Sequence, residues 1–134
     1  MVLILDCNIW ITLTLNSELA FIVSLHDKGY ILPTCGELKN EIKSVLTRPK
    51  ISKFISDANI EKAVTLHDLI TRTYKVGKLV IVTADPKDDY LFALALKAKA
   101  DYLVTGDKLL LSVVKYKRTQ IITLAQLRLL IESH

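Results

Sequence analysis

The chain has 134 residues, 51% of them hydrophobic, and its 18 Lys and Arg outnumber its 14 Asp and Glu, for a formal net charge of +4. This length fits one compact domain over residues 1–134, and the apolar content excludes a disordered chain. No uninterrupted apolar run approaches the roughly 20 residues of a membrane-spanning helix, and the apolar N-terminus lacks the positive charges of a signal peptide. We therefore expect a cytoplasmic protein with no membrane partner.

The first half of the chain alternates short apolar runs with helical patterns. Ser17 is typical of a helix N-cap, and Gly29 is typical of the residue that follows a helix. Thr34 and Glu37 have the spacing of a capping box, and Pro49 should end the helix that they begin. The predicted elements are a strand over 3–5, a helix over 18–28, a strand over 30–32 closed by Pro33, a helix between Thr34 and Pro49, and helical structure over 51–74 with Asp57 and Asn59 as caps.

The second half continues the same alternation. Its predicted elements are a strand over 79–82, a helix over 88–99, a strand over 102–104, a short helix over 108–113, a strand over 120–122 and a helix over 124–131. Each strand is a short continuous apolar run, as in strands that are buried on both faces. Strands that alternate with helices predict an α/β fold of three layers, α/β/α, with a central parallel β-sheet.

Five acidic residues are predicted at one edge of this sheet. Asp6 and Asp107 each follow a strand, Asp88 and Asp89 begin the helix after another strand, and Glu41 lies one turn into its own helix. Residues that follow the strands of an open parallel sheet gather at its carboxyl edge. Because clustered carboxylates repel one another, a hard cation such as Mg²⁺ or Mn²⁺ would stabilise the group, and it could activate water against a phosphodiester.

Each acid also has an ordinary structural interpretation. Asp6 could be a turn residue after a strand, and Glu41 could belong to a solvated helix face. Asp88 and Asp89 could complement a helix dipole, and Asp107 could be the N-cap of the short helix over 108–113. One metal site explains these placements at a single edge better than independent coincidences, and we favour it.

Four motifs, in order along nearly the whole chain, resemble those of the PIN-domain family. They are similar in particular to prokaryotic PIN proteins assigned as toxins of toxin–antitoxin pairs (VapC-like). The motifs are Leu5-Asp6-Cys7-Asn8-Ile9-Trp10, similar to L-D-T-N-V-W; residues 37–50, similar to E-L-x-x-V-L-x-R-P-K; Asp85-Pro86-Lys87-Asp88-Asp89 followed by Leu91-Phe92-Ala93-Leu94-Ala95; and residues 100–110, similar to A-D-Y-L-V-T-G-D-x-x-L-L.

The resemblance implies a site, residue by residue. The implied metal-binding and catalytic residues are Asp6, Glu41, Asp88 and Asp107. Asp89 is an alternative to Asp88 as the acidic residue of the third motif. Asn8 and Thr105 would orient carboxylates or a bound water. Cys7 stands where the family usually has Thr, and Cys35 stands near a usual Ser. The softer side chain of Cys7, beside Asp6, could alter metal preference or sensitivity to oxidation.

The activity that the resemblance implies is that of a Mg²⁺- or Mn²⁺-dependent endoribonuclease that leaves 5′-phosphate and 3′-hydroxyl ends. Its implied partners are RNA, a small antitoxin protein and a second copy of the chain in a homodimer. The apolar helices over 51–74 could supply the antitoxin groove or the dimer face. One rival is a catalytically silent PIN-fold module that binds RNA or a partner, against which the intact acidic set argues. A phosphate-transferring receiver-like domain is disfavoured because Thr123 and Leu124, and no Lys, follow the last strand.

A few other residues have both a functional and a packing interpretation. The candidate RNA-binding residues are Arg48, Lys50, Lys115, Lys117 and Arg118, which could equally be solvated. The histidines, His26, His67 and His134, are expected at the surface. Trp10 could stack on a base, although packing beneath the acidic edge is favoured. Cys7 and Cys35 lack zinc-site spacing and are expected to pack in the interior.

Overall fold

Three short parallel strands form the centre of the main β-sheet in the computed structural model, which describes residues 1–77 and 86–133. They are β1 (Leu3–Leu5), β4 (Tyr102–Val104) and β6 (Thr119–Ile122), in the spatial order β1-β4-β6. Leu5 pairs with Val104 and Val104 with Ile122, so the carboxyl ends of the three strands are level. The predicted parallel sheet is confirmed. The predicted strand over 79–82, Asp85 and His134 lie outside the described residues.

Three strands were not predicted with their observed bounds: one in the main sheet and two in a second sheet. Strand β5 (Lys115–Tyr116) is antiparallel to β6 and forms a hairpin with it. Strand β2 (Pro33–Thr34) and strand β3 (Arg72–Thr73) form a separate two-stranded parallel sheet. The predicted strand over 30–32 is wrong in its bounds, since only Ile31 there makes a bridge, to Val2.

Helices cover both sides of the main sheet, which gives the predicted three-layer α/β/α arrangement. The helices are α1 (Cys7–Leu15), α2 (Leu19–Asp27), α3 (Gly36–Leu46), α4 (Pro49–Ser52), α5 (Asp57–Ile70), α6 (Asp89–Ala98), α7 (Lys108–Leu111) and α8 (Leu124–Glu132), with a 3₁₀ turn at Pro86–Asp88. Helices α1, α2, α3 and α5 pack on one another, while α6 packs against β4 and β2. Over the described part of the chain, no single helix has the length and hydropathy to cross a bilayer. Within residues 1–77 and 86–133, α1 and α2 taken together, across a 120° bend, pass such a test by length and composition.

The helix that carries the first motif was missed. In α1 the side chains of Ile9, Trp10, Ile11 and Leu13 are all buried. A helix that is apolar on nearly every side has no amphipathic period, so its sequence resembles an extension of the preceding strand. The structure instead starts the helix directly after Asp6, which is its N-cap.

The structure confirms some of the predicted helix caps and contradicts others. Gly29 has a φ of +86°, and the Tyr30 N–H donates to the Leu25 carbonyl at 3.1 Å, which confirms the predicted glycine end of α2. Ser17 is not an N-cap: its φ is +57° and α2 begins two residues later, after Glu18.

The predicted capping box at Thr34 and Glu37 is wrong, since Cys35 holds the N-cap position of α3 and makes no side-chain cap bond. The Thr34 hydroxyl is engaged instead with His67, 2.8 Å away. Helix α5 is capped by the Ser56 side chain, which accepts from the Asn59 N–H, so neither Asp57 nor Asn59 is the cap. Because α5 ends at Ile70 and β3 follows, the predicted helix through Tyr74 is too long.

Candidate active site at the carboxyl edge of the sheet

The strand order places Asp6 and Asp107 at the same end of the main sheet. Asp6 follows β1, and its backbone N–H donates to the Val104 carbonyl at 2.9 Å, so it begins where the neighbouring strand ends. Thr105, the next residue after β4, donates its N–H to the Ile122 carbonyl at 2.9 Å. Asp107 then begins α7 two residues further along. The paired strands therefore bring two distant acids to one edge, as predicted for a parallel sheet.

Asp6 is a buried carboxylate held by two donors. It is 4% exposed; its Oδ1 accepts from the Cys7 N–H at 2.6 Å and its Oδ2 accepts from the Thr105 hydroxyl at 2.7 Å. The pKa of Asp6 is raised to about 6: burial is the main cause, the negative charges of Glu41 and Asp107 add to the rise, and the two hydrogen bonds oppose it. The raised pKa reflects an acid that is buried among other acids.

Asp107 is fixed by the start of the helix that it caps. Its Oδ1 accepts from the Leu109 N–H at 2.8 Å, which confirms its interpretation as an N-cap, although α7 ends at Leu111. Its own N–H donates to the Thr105 hydroxyl oxygen at 3.0 Å. The Asn8 side-chain oxygen accepts from the Gly106 N–H at 3.3 Å and so links this loop to α1.

Glu41 reaches the same region from α3 and has a partner that the sequence did not suggest. The hydroxyl of Tyr90, on α6, donates to Oε2 of Glu41 at 2.5 Å. Tyr90 is 5% exposed, and burial together with the bond to Glu41 raises the pKa of its phenol far above the ordinary value. The available signal was its position immediately after Asp88 and Asp89, in the first turn of α6.

The third acidic position has two candidates, Asp88 and Asp89, and they differ in their position relative to the acidic cavity. Asp88 ends the 3₁₀ turn and lines the same cavity as the other acids. Asp89 is 2% exposed and is not among the residues that line this cavity. Leu91 and Ala95 are fully buried, as are Phe92 and Leu94 beside them, and the choice of Asp88 as the third acid stays a prediction.

The four acids predicted to bind metal share one cavity of about 370 Å³, and Cys7 and Asn8 also line it. Among residues 1–77 and 86–133, no three His, Cys, Asp or Glu side chains are arranged to hold one ion between them. The side chains of Asp6, Glu41 and Asp107 are held instead by the hydrogen bonds described above.

The donor set nevertheless fits a hard cation. Asp6, Glu41, Asp88 and Asp107 bring four carboxylates to the cavity. Burial, the main cause, raises the pKa of the Cys7 thiol to about 12, so this thiol is protonated near neutral pH. Oxygen ligands of this kind suit Mg²⁺ and Mn²⁺. Asp6, Glu41, Asp88 and Asp107 could hold such an ion.

Trp10 and the histidines illustrate how burial decides between interpretations. Trp10 is 2% exposed, so it packs in the core as favoured and is not available to stack on a base. The surface prediction for His67 is wrong: it is 2% exposed, with its ring edge-on to Trp10 at 4.4 Å between centroids. Burial lowers the pKa of His67 to about 4, and its Nδ1 has no hydrogen-bond partner among the described residues. His26 is exposed, as predicted, and both cysteines are free and buried.

The candidate RNA-binding cations fall into two groups. Arg48 and Lys50 lie at the junction of α3 and α4, and the charge of Arg48 lowers the pKa of Cys7 against the effect of burial, which places it near the acidic cavity. Lys117 and Arg118 lie in the β5–β6 hairpin, where Arg118 contacts Asp101 at 2.8 Å, just before β4 begins. Lys115 is paired with Gln120 in the same hairpin. The structure thus brings Arg48 toward the acids and holds Arg118 at the opposite end of β4.

Comparison with known proteins agrees with this geometry. A family model described as "PIN domain" matches residues 2–109. No curated protein matches the sequence. Among solved structures, the chain is similar to one described as VapBC2 from Rickettsia felis bound to a DNA fragment from their promoter, at 11% identity and a TM-score of 0.59, covering 92% of this chain and 98% of that chain. Because the family model covers most of the chain, including the acidic residues at positions 6, 41, 88 and 107, this protein belongs to the PIN-domain family.

Proposed function

We propose that this chain is a Mg²⁺- or Mn²⁺-dependent endoribonuclease that hydrolyses RNA phosphodiester bonds. The observation that carries the proposal is the position of Asp6, Glu41, Asp88 and Asp107 on one cavity at the carboxyl edge of the sheet. PIN domains are generally nucleases, which supports the reaction class. RNA as the substrate and dependence on a divalent metal are the parts of the proposal that go beyond family membership.

Each residue of the site has a distinct part in this proposal. A bound divalent ion would supply Lewis acidity and a more acidic water. The four carboxylates hold the ion, and Thr105 keeps Asp6 in place through the 2.7 Å bond to Oδ2. Asn8 keeps the loop that carries Asp107 close to α1. Arg48 and Lys50 attract the phosphate backbone toward the cavity.

The test is cleavage of labelled structured and unstructured RNA with Mn²⁺, Mg²⁺ or EDTA. We expect metal-dependent cutting that leaves 5′-phosphate and 3′-hydroxyl ends and that is lost in Asp6→Asn. Asp57→Asn, an exposed acid at the start of α5, is the matched control and should cut normally. Equal cutting by Asp6→Asn would indicate a contaminating nuclease.

A catalytically silent binding module remains the alternative, and one observation favours it. Within the described residues the acids do not converge on a single point that could hold an ion. A silent module would bind RNA with the same affinity in EDTA and in Mn²⁺ and would cut it in neither. An endoribonuclease of the proposed kind would cut RNA in Mn²⁺ and would not cut it in EDTA.

We further propose that the chain is the toxin of a toxin–antitoxin pair. Support comes from the similar Rickettsia felis structure, which its description calls VapBC2. A groove of about 720 Å³ between α2 and α5 offers an apolar surface for a small antitoxin, with Val23, Leu66 and Leu69 among its lining residues. Co-expression with the product of an adjacent gene should suppress RNA cleavage, and Leu69→Glu should release it. A homodimer stays a prediction, to be measured by light scattering.

A further inference from the structure

Tyr90 is a buried polar residue at the acidic cavity whose role is not explained by packing alone. It stands in the first turn of α6, two residues after Asp88, and is 5% exposed. Its hydroxyl crosses to α3 and donates to Oε2 of Glu41 at 2.5 Å. The bond joins residues 49 apart in sequence, so it fixes the distance between the two helices that carry these acids.

This bond also decides which part of Glu41 remains for a ligand. Glu has three rotatable side-chain bonds, and holding one orientation costs rotamer entropy unless a partner fixes it. Tyr90 occupies Oε2 with a neutral donor, and Glu41 lines the acidic cavity together with Asp6, Asp88 and Asp107. A carboxylate fixed in this way can bind a cation through its second oxygen without a further loss of side-chain freedom.

We propose that Tyr90 is a positioning residue that orients Glu41 for binding a divalent cation. The proposal rests on the proposed function, because it needs Glu41 to be a metal ligand. Hydrogen-bond partners of metal ligands commonly change metal affinity by about 10- to 100-fold when they are removed. A residue that only packed α6 against α3 would change the stability of the protein and leave metal affinity as it was.

The test compares Mn²⁺ binding by the full chain and by Tyr90→Phe, measured by isothermal titration calorimetry. Tyr90→Phe keeps the ring and removes only the hydroxyl, and we expect a Kd for Mn²⁺ about 10-fold higher. Tyr102→Phe is the matched control: Tyr102 begins β4, at the end of the sheet opposite the acids, and its removal should leave the Kd unchanged. Unchanged or tighter Mn²⁺ binding by folded Tyr90→Phe would overturn the proposal.

A second measurement needs no substitution and applies even if Tyr90→Phe does not fold. In protein labelled at the tyrosine ¹³Cζ position, Mg²⁺ should shift the Tyr90 resonance and leave that of Tyr102 in place. A Tyr90 resonance that does not move at saturating Mg²⁺ would overturn the proposal. Failure of the wild-type chain to bind Mn²⁺ or Mg²⁺ at all would instead overturn the proposed metal-dependent function, so the two failures are distinct.

Discussion

The hydroxyl of Thr105 lies 2.7 Å from Oδ2 of Asp6, although the two residues are 99 positions apart in sequence. The same hydroxyl oxygen accepts the N–H of Asp107 at 3.0 Å. One short side chain therefore links the acid that follows β1 to the acid that follows β4. Since β1 and β4 are paired in register, the link depends on the sheet and holds both acids in relation to it.

Replacement of Thr105 by Val should lower RNA cleavage by about 10- to 100-fold, because Asp6 loses a donor that orients it. The shape of the side chain is nearly conserved, so the core around β4 should remain packed. Thr105→Ser keeps the hydroxyl and should retain most of the activity. Initial rates in Mn²⁺ for the three proteins check this, and a Thr105→Val enzyme as active as the wild type would remove Thr105 from the site.

The sheet and its acidic edge could be predicted from sequence because local patterns determine them. A short, continuous apolar run such as Leu3–Leu5 predicts a buried strand, and an acid directly after such a strand lies at its carboxyl end. Helix α1 could not be predicted, since its buried apolar residues surround the axis and give no helical period. Strand β3 has two residues only, which is too short for any pattern to appear.

Stability should fall as the pH falls from about 6.5 to about 4, because of His67. Burial, the main cause, lowers the pKa of His67 in the folded protein to about 4 from 6.5; the charges of Lys39 and Lys43 also lower it, and Asp68 opposes them. Below pH 6.5 His67 is protonated in the unfolded chain but stays neutral in the folded protein until the pH approaches 4. Lower pH therefore favours unfolding. The free energy of unfolding should lose about 2 to 3 kcal/mol from this residue between pH 7.5 and 4.5.

The measurement is urea unfolding at pH 7.5 and at pH 4.5, for wild type and His67→Gln. Glutamine does not titrate in this range. Between pH 7.5 and 4.5 the free energy of unfolding of the variant should therefore fall by about 2 to 3 kcal/mol less than that of the wild type. Comparison between the two proteins removes the effects of all other titrating groups. His26→Gln, an exposed histidine, should behave as the wild type does. Equal pH dependence in wild type and His67→Gln would contradict the buried, uncharged state of this ring.

Long-range contacts are the part of the site that the sequence could not supply. Tyr90 meets Glu41, and His67 meets Thr34, across separations of 49 and 33 residues. Neither pair has a local pattern, because a tyrosine or a histidine on a helix has the same neighbours in sequence whether it is buried or exposed. Asp6 and Asp107, in contrast, could be placed because each follows a strand, and Asp88 because it precedes α6. Glu41, inside α3, could be placed through the second motif.

Asp6→Asn should stabilise the protein in EDTA. Burial raises the pKa of Asp6 from 3.8 to about 6, which means that ionisation above pH 6 costs the folded state about 3 kcal/mol. Asparagine removes this cost and loses part of one hydrogen bond, about 1 kcal/mol. The net gain at pH 8, about 2 kcal/mol, should raise the Tm by several degrees.

The sign of this effect depends on pH and on metal. As the pH falls from 6 toward 3.8, Asp6 takes up a proton in the folded state first, so the advantage of Asp6→Asn should shrink. Saturating Mg²⁺ should stabilise the wild type more than the variant, by mass action. Calorimetric scans at pH 8 and pH 5, with and without Mg²⁺, measure all four conditions. A wild type more stable than Asp6→Asn in EDTA at pH 8 would contradict the electrostatic cost assigned to Asp6.

Arg48→Ala should weaken RNA binding more than Arg118→Ala does. Arg48 is exposed, and its charge acts on Cys7 at the acidic cavity, whereas Arg118 is engaged with Asp101 at the other end of β4. Each phosphate contact to single-stranded RNA contributes about 0.7 to the slope of log affinity against log salt. Arg48→Ala should therefore reduce the slope by about this amount and raise KM several-fold, while kcat changes little.

The salt dependence of KM between 50 and 300 mM KCl, for the two variants and wild type, measures this. Arg48→Lys keeps the charge and should restore most of the slope, which separates charge from packing at the start of α4. A larger loss in Arg118→Ala would contradict this prediction and would mean that RNA contacts the β5–β6 hairpin, which carries Lys117 and Arg118. Equal slopes in all proteins would mean that neither arginine contacts the backbone and that Lys50 and Lys115 are the next positions to change.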